Sequence, residues 1–562
     1  MSCNLSNVSL TVEKIAVPAT TGWTKPEEWP DISNVGDNEI NLLCTDGAGI
    51  GFSASIEGAG TYSIDWGDGT VETNRVSDAI CQHAYNNIGG TYCNDLGYMV
   101  YKVRLYGATG NIVNWAVRRH TFIVHKQYHP ILWAVFGTKY INDYSYAFWA
   151  NTGQVECSKL KACSISSLSS CSYTSSMFEN CFALESVTLP DSWGRVVSVT
   201  AMFENCYSLK YITLPPTWDS IYDVTYMFYS CYALTDIKLP DSWGNVQVTL
   251  NMFRSCLSLP SIGIPSTWDY VTDVTSMFYN CSSIKEIKLP ASWGNVLTAT
   301  NMFNNCYSLK EVKLPSSWGA VTGVANMFNS CSTLASISLP IDSWGSVTTT
   351  AYMFYGCLSL AHIKLPASWG NVQTVTNMFT SCNALTSIIL PLSWGNIITT
   401  NSMFNSCFSL SSVVLPSSLG SITDASSMFS SCFSLTKVNN IECIGSNVGQ
   451  CNCADILKDC ENLQQPIVIG TLINQIGIYG NSSYILKVNS IRLTNIGSKF
   501  TGSSPQINVS YCSLSRDALV ALFGDLPVLT SKAIRITGCT GAASLTAADR
   551  LIATSKGWSI TG

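Results

Sequence analysis

Five histidines and a scatter of acids and cysteines are the residues in this 562-residue chain whose types and spacing could support chemistry. Three of the histidines, His120, His125 and His129, fall in RRHTFIVHKQYHP, on a segment that reads as β. Side chains five and four residues apart on a strand do not converge on one metal ion, so a structural junction is expected there. Cys443, Cys451, Cys453 and Cys460 are spaced C-x7-C-x-C-x6-C. They lack the paired C-x2-C knuckles of a zinc site and read as irregular core. Asp65 and Asp68 bracket Trp66-Gly67; calcium ligation is one reading, and a hairpin turn explains them without metal. Glu286 and Glu311 would stand about 5 Å apart if their segments stack as paired strands, a spacing compatible with glycan hydrolysis. Each has a lysine two residues on, Lys288 and Lys313, which favours an ion-paired ladder over a tuned acid and base. No G-x-S-x-G elbow, phosphate-binding loop, dinucleotide fingerprint or H-E-x-x-H occurs. Recognition is expected, with no catalytic residue, no metal and no cofactor.

A repeat positions these residues. The string M-F-x-x-C recurs eleven times between Met177 and Cys432, stepping by 25 residues with one step of 26, and most copies continue in the manner of MFENCYSLKYITLP-x-x-W. So strict a period predicts a solenoid, in which each unit buries its apolar face only by stacking on its neighbours. In 209–215, LKYITLP, Ile212 and Leu214 alternate with Tyr211 and Thr213, which predicts a short strand. Pro215 ends it, having no N–H to continue a ladder. A turn such as Ser242-Trp243-Gly244 follows, and a polar, β-branched stretch leads back to Met-Phe. The return side is expected to be extended or made of short helical turns.

Each strand then displays one outward residue per rung. The candidates for ligand contact are Tyr211, Asp236, Glu286, Glu311 and His362, with Lys238, Lys288, Lys313 and Lys364 in the neighbouring column. The acid and lysine columns are expected to compensate one another as cross-strand pairs. Eleven of the 24 cysteines share one repeat position, which predicts a buried column of free thiols. The tryptophans from Trp193 to Trp394 form a second column, read as stacked core with an exposed sugar-binding stripe as the alternative.

The recurring L-x-x-I-x-L strand, joined to M-F-x-x-C, resembles the BspA-like leucine-rich repeats over about 160–470. That resemblance implies a right-handed solenoid with a parallel sheet on one face and a frequent role in adhesion or host contact. Departures include Leu419 in place of the repeat tryptophan and irregular rungs after 440. Further upstream, YSIDWGDGT with a later His-Ala-Tyr resembles a PKD-type immunoglobulin-like sandwich, whose tryptophan packs in the core. The W-x-K-P-x-x-W arm before it is similar to the opening of large structural proteins of tailed bacteriophages. At the far end, segments from Leu514 to Trp558 read as helix, strand, helix, strand and resemble the closing cap of phage-encoded leucine-rich repeat proteins. The expected organisation is mainly β: an arm over 1–40, an Ig-like (PKD) β-sandwich over 41–125, a junction with a degenerate first rung over 126–160, a solenoid of 25-residue rungs over 161–500, and a small α/β cap over 501–562.

Composition bounds the partners. Charged residues are 12% and the net charge is -6, which offers no basic footprint for nucleic acid and no polybasic patch for a membrane. The N-terminus lacks the pattern of a secretory signal, and no long apolar run predicts membrane insertion. Together these readings predict a non-enzymatic structural virion protein, made in a host cytoplasm and placed in a tail fibre or other appendage. Its expected partners are other virion structural proteins, further copies of itself, and a host cell-surface glycan or protein receptor. An architectural neck, baseplate or capsid-associated element, a bacterial cell-surface adhesin and a polysaccharide depolymerase are the alternatives.

Overall fold

The computed structural model describes residues 25–562 apart from 46–49, 80, 84, 86–88, 94–97, 118–130, 149–158, 341–343, 418, 420, 445–450, 470–472, 483–484 and 494–499. His120, His125, His129 and the first part of the aromatic arm therefore lie outside the described residues.

Eight strands form the N-terminal unit: β1 (Glu39–Thr45), β2 (Ile50–Ile56), β3 (Thr61–Asp65), β4 (Val71–Val76), β5 (Cys81–His83), β6 (Thr91–Cys93), β7 (Tyr98–Thr109) and β8 (Ile112–Val117). One sheet runs β4-β3-β7-β1 with β6 beside β7, and the other runs β5-β2-β8. Alternation explains the packing: Tyr62 and Ile64 of β3, Val103 and Leu105 of β7 and Ile40 and Leu42 of β1 are buried in one cluster with Trp66 and Trp115. The hairpin after β3 needs left-handed backbone, which Gly67 (φ 77°) and Gly69 (φ 93°) supply. Asp65 accepts from the Gly67 N–H at 3.0 Å and Asp68 from the Thr70 N–H at 2.9 Å, so both carboxylates serve the turn. His83 Nε2 lies 2.7 Å from the other Asp68 oxygen, and its ring stacks on Trp66 at 4.7 Å. Burial opposes the Asp68 charge, but the bonds from His83 and Thr70 hold its carboxyl below the usual range.

The sandwich runs into the solenoid without a break. Strand β9 (Ile131–Phe136) pairs antiparallel with β1 and parallel with β10 (Ala162–Ile165), which pairs parallel with β11 (Ser186–Thr188). On the opposite side Asn114 of β8 bridges Asp143, and the bridges continue through Tyr173, Ser198, Asp223 and further rungs to Asn452. Both sheets thus extend as the two faces of the solenoid, and one hydrophobic core runs from Ile40 to Trp558. The sandwich is in effect the N-terminal cap, covering the first rung's apolar end and its open strand edge.

The rung over 223–248 shows why the repeat reads as it does. Val224, Tyr226, Phe228 and Ser230 donate their N–H groups to carbonyls of the next rung at 2.7 to 3.1 Å, while Met227, Tyr229 and Cys231 donate back three residues within the rung. From Tyr226 to Cys231 the backbone donors are therefore used alternately along and within rungs, and the Thr225 N–H goes to the Asp223 carboxylate at 2.9 Å. The alternation requires positive φ just before Met and just before Cys, at 53 to 64° for the non-glycine residues from Ser176 to Ser431. Asn recurs there because it tolerates this region; Ser also recurs, Ala201, Tyr226 and Tyr352 hold it in single rungs, and Gly356 takes one such place. The return side is therefore built of tight turns and not of the short helical turns expected, because every second N–H bonds to the next rung and the backbone flips to positive φ twice per rung.

Inside, the phenylalanines from Phe148 to Phe429 stack nearly parallel at 5.3 to 5.6 Å. Phe148, on the expected degenerate first rung, starts this column. The tryptophans pack as core: Trp218 to Trp344 stack at 5.4 to 6.2 Å, and Trp369 meets Trp344 and Trp394 edge-on. Their exposure of 0 to 3% rules out a sugar-binding stripe. The repeat cysteines from Cys206 to Cys432 are free, buried thiols. Beyond Asn452 the rungs become irregular, with Cys451, Cys453 and Cys460 in the core. A parallel ladder then passes through Ile473–Gly477, Ile507–Asn508, Lys532–Arg535 and Trp558–Thr561. Helices α1 (Arg516–Asp525) and α2 (Ala547–Thr554) close this end. Ser515 caps α1, Thr546 and Asp549 form a capping box on α2, and Arg516 grips Asp549 with two 2.9 Å bonds. Among the described residues no helix is long and apolar enough to cross a membrane.

Candidate recognition face of the solenoid

Three-residue strands carry the sequence-predicted contact residues. Tyr211 and Thr213 of β12 (Tyr211–Thr213) pair with Asp236 and Lys238 of β13 (Asp236–Lys238). Further along, Glu286 pairs with Glu311, Lys288 with Lys313, Ser336 with His362 and Ser338 with Lys364. The central residue of most of these strands is buried and its neighbours face outward, as alternation predicts. The candidates are therefore on one face, but in three patches. Pro260 and Gly263 interrupt the ladder between Lys238 and Glu286, since the rung over 260–264 forms no strand.

The expected pairing of acid with lysine across strands does not form. Parallel stacking in register puts each residue beside its equivalent, so Glu286 faces Glu311 and Lys288 faces Lys313. Among the described residues none of these four, nor Asp236 or Lys238, joins an ion pair. Among these residues opposite charges sit two apart along a strand, while like charges stand side by side across strands. An exposed face tolerates this because water screens it.

Where β11 gives way to β12 the face opens into a groove of about 490 Å³, lined in part by Tyr211, Thr213, Lys238, Asp191, Asp241 and Pro216. Tyr211 and Lys238 were legible as contact residues. Asp191, Pro216 and Asp241 were not, because they follow the strand-ending prolines and read as turn. The signal was the double proline Pro215-Pro216 between two Pro-Asp turns.

A second group escaped the sequence reading. Glu179 and Glu204 each follow the repeat phenylalanine in adjacent rungs, joined where the Asn180 N–H donates to the Glu204 carbonyl at 2.8 Å. Burial, and then the Glu179 charge, push the Glu204 carboxyl up to about 7. Beside them Phe182, Tyr207 and Tyr232 stack at 4.8 and 4.6 Å. Two rungs on, the Arg254 guanidinium lies between the rings of Tyr229 and Tyr279, at 5.7 and 4.2 Å. Reading the residue after Met-Phe down the repeat (Glu, Glu, Tyr, Arg, Tyr) would have found this column. Among the described residues no three His, Cys, Asp or Glu side chains are placed to hold a metal ion.

No curated protein matches the chain. The crystal structure of a leucine-rich repeat protein from Eubacterium ventriosum is similar over 49% of this chain and 84% of that one, with 18% identity and a TM-score of 0.29. The family described as the BspA-type leucine-rich repeat region (six copies) matches residues 139–199, 200–334, 247–386 and 324–464. These matches overlap the rungs from the first phenylalanine of the stack to the irregular turns, more than half of the chain, and the protein belongs to the BspA-type leucine-rich repeat family.

Proposed function

We propose that this protein is a non-enzymatic recognition rod that binds a host cell-surface glycan or protein receptor through the strand face of its solenoid. The observation that carries the reading is the in-register stacking on a single continuous core, which repeats each outward position once per rung on a stiff support. Weak contacts at successive rungs, and in several assembled copies, then add through multivalency. Its place is a tail fibre or similar appendage of a tailed bacteriophage, alongside other virion structural proteins. This placement is supported by the phage-like arm, the resemblance of the sandwich to a PKD domain and the K-G-W ending of the cap. Membership of the BspA-type family favours one second reading, a bacterial cell-surface adhesin using the same face.

Gold-conjugated antibody against the protein, applied to lysates and cells of its source, separates the two by electron microscopy. Gold on particle tails is the expected result. Gold confined to the cell envelope would overturn the virion placement and leave the adhesin.

A further inference from the structure

The groove beside Tyr211 is a concavity on the recognition face, and its chemistry is narrower than "a receptor". Strand β11 is the last of the sheet that begins in the sandwich, and β12 opens a separate two-stranded sheet with β13. The groove spans that junction and is lined by three successive rungs. At about 490 Å³ it falls in the range of small-molecule sites. Down one wall the residue after the strand-ending proline reads Asp191, Pro216, Asp241, so an apolar ring stands between two exposed carboxylates. Tyr211 and Lys238 are also in the lining, with Thr188 and Thr213.

We propose that this groove is a saccharide subsite that selects neutral or amine-bearing sugars and rejects polyanionic ones. The inference rests on the recognition reading of the same face and names its ligand class. A pyranose has an apolar C–H face and a rim of hydroxyls. Pro216 and the Tyr211 ring present the matching apolar surface. The carboxylates of Asp191 and Asp241 accept from hydroxyl or ammonium donors, and Lys238 and the threonines donate to ring and hydroxyl oxygens. Two acids against one lysine leave the groove negative, which strengthens contact with an amino sugar and repels carboxylate, sulfate or phosphate groups. An extended peptide is less well matched, because strand addition needs a long open edge and these strands are three residues each.

The test uses the full chain, fluorescently labelled, on an array of glucose and N-acetylglucosamine oligomers, glucosamine oligomers and sulfated oligosaccharides. Binding to the neutral and glucosamine oligomers is expected, with none to the sulfated set. Tyr211→Ala should weaken all binding about tenfold or more. Asp191→Asn with Asp241→Asn should cost most on glucosamine oligomers and little on neutral ones. Unchanged unfolding transitions will show that the variants fold. An array blank for every sugar, preference for the sulfated set, or full binding by Tyr211→Ala would overturn the subsite. If cell adsorption then still fell on substituting His362, the recognition reading would stand with its contacts elsewhere, on a glycan or a peptide. Loss of both results would remove both.

Discussion

The Cys306 thiol donates a hydrogen bond to the main-chain carbonyl of Phe278, one rung earlier, at 3.1 Å. The same bond recurs from Cys181 to Cys460 at 2.9 to 3.5 Å. It explains why this core position holds cysteine and not simply a small hydrophobe: the thiol fills the space and stitches each rung to the one before. Cys306→Ala should therefore cost about 1–2 kcal/mol in urea unfolding, from the lost bond and a small cavity. Cys306→Asp buries a charge without a partner and should unfold neighbouring rungs. Equal stability for wild type and the Ala variant would show that the bond contributes nothing.

Burial pushes the column thiols up, Cys281 to about 12, so they are poor nucleophiles in the folded chain. An aromatic disulfide reagent at pH 8 should label them only once denaturant is added. Rapid labelling of several repeat cysteines in the native protein would contradict the closed core.

Glu204 links stability to pH. Its folded carboxyl titrates near 7 against the ordinary 4.5, so between those values the folded chain keeps a proton that the unfolded chain has released. Stability should fall as pH rises through about 4.5 to 7, by on the order of 1 kcal/mol once screening of this partly exposed side chain is allowed for. Glu204→Gln should flatten the profile. A wild-type profile already flat in that window would show that burial and Glu179 do not raise the Glu204 carboxyl.

The repeat tryptophans from Trp193 to Trp394 bury nine indole N–H groups that meet no acceptor among the described residues. An unpaired buried donor costs about 1–3 kcal/mol. Trp293→Phe should therefore be tolerated, within about 1 kcal/mol, because it keeps a ring and removes the donor. Trp293→Ala should cost about 3–5 kcal/mol through the cavity. If Phe proved as damaging as Ala, the indole N–H would have to be bonded.

Much of this architecture is legible because the 25-residue step of Met, Phe and Cys can be satisfied only by stacking, and because Ile212 and Leu214 mark the strand within each rung. The sequence-predicted face residues do face outward. What escaped depends on relations between rungs. Register makes Glu286 meet Glu311 and not Lys313, and repeat length alone does not reveal how charges compensate. The junction between β11 and β12 turns an ordinary-looking Pro215-Pro216 into the side of a groove. The coaxial join of the sandwich to the solenoid depends on β9 and Asn114, each pairing with partners distant in the sequence.

The most direct test of the strand face as the recognition surface is adsorption of the purified chain to host cells, comparing two sets of substitutions. One set changes the strand face, with Tyr211→Ala, Glu286→Gln and His362→Ala. The other changes exposed positions beside the bridge column on the opposite face, with Tyr222→Ser and Ile398→Ser. Adsorption should fall about tenfold or more for the first set and stay at the wild-type level for the second. Retention by the first set with loss by the second would contradict the account and move recognition to the other face.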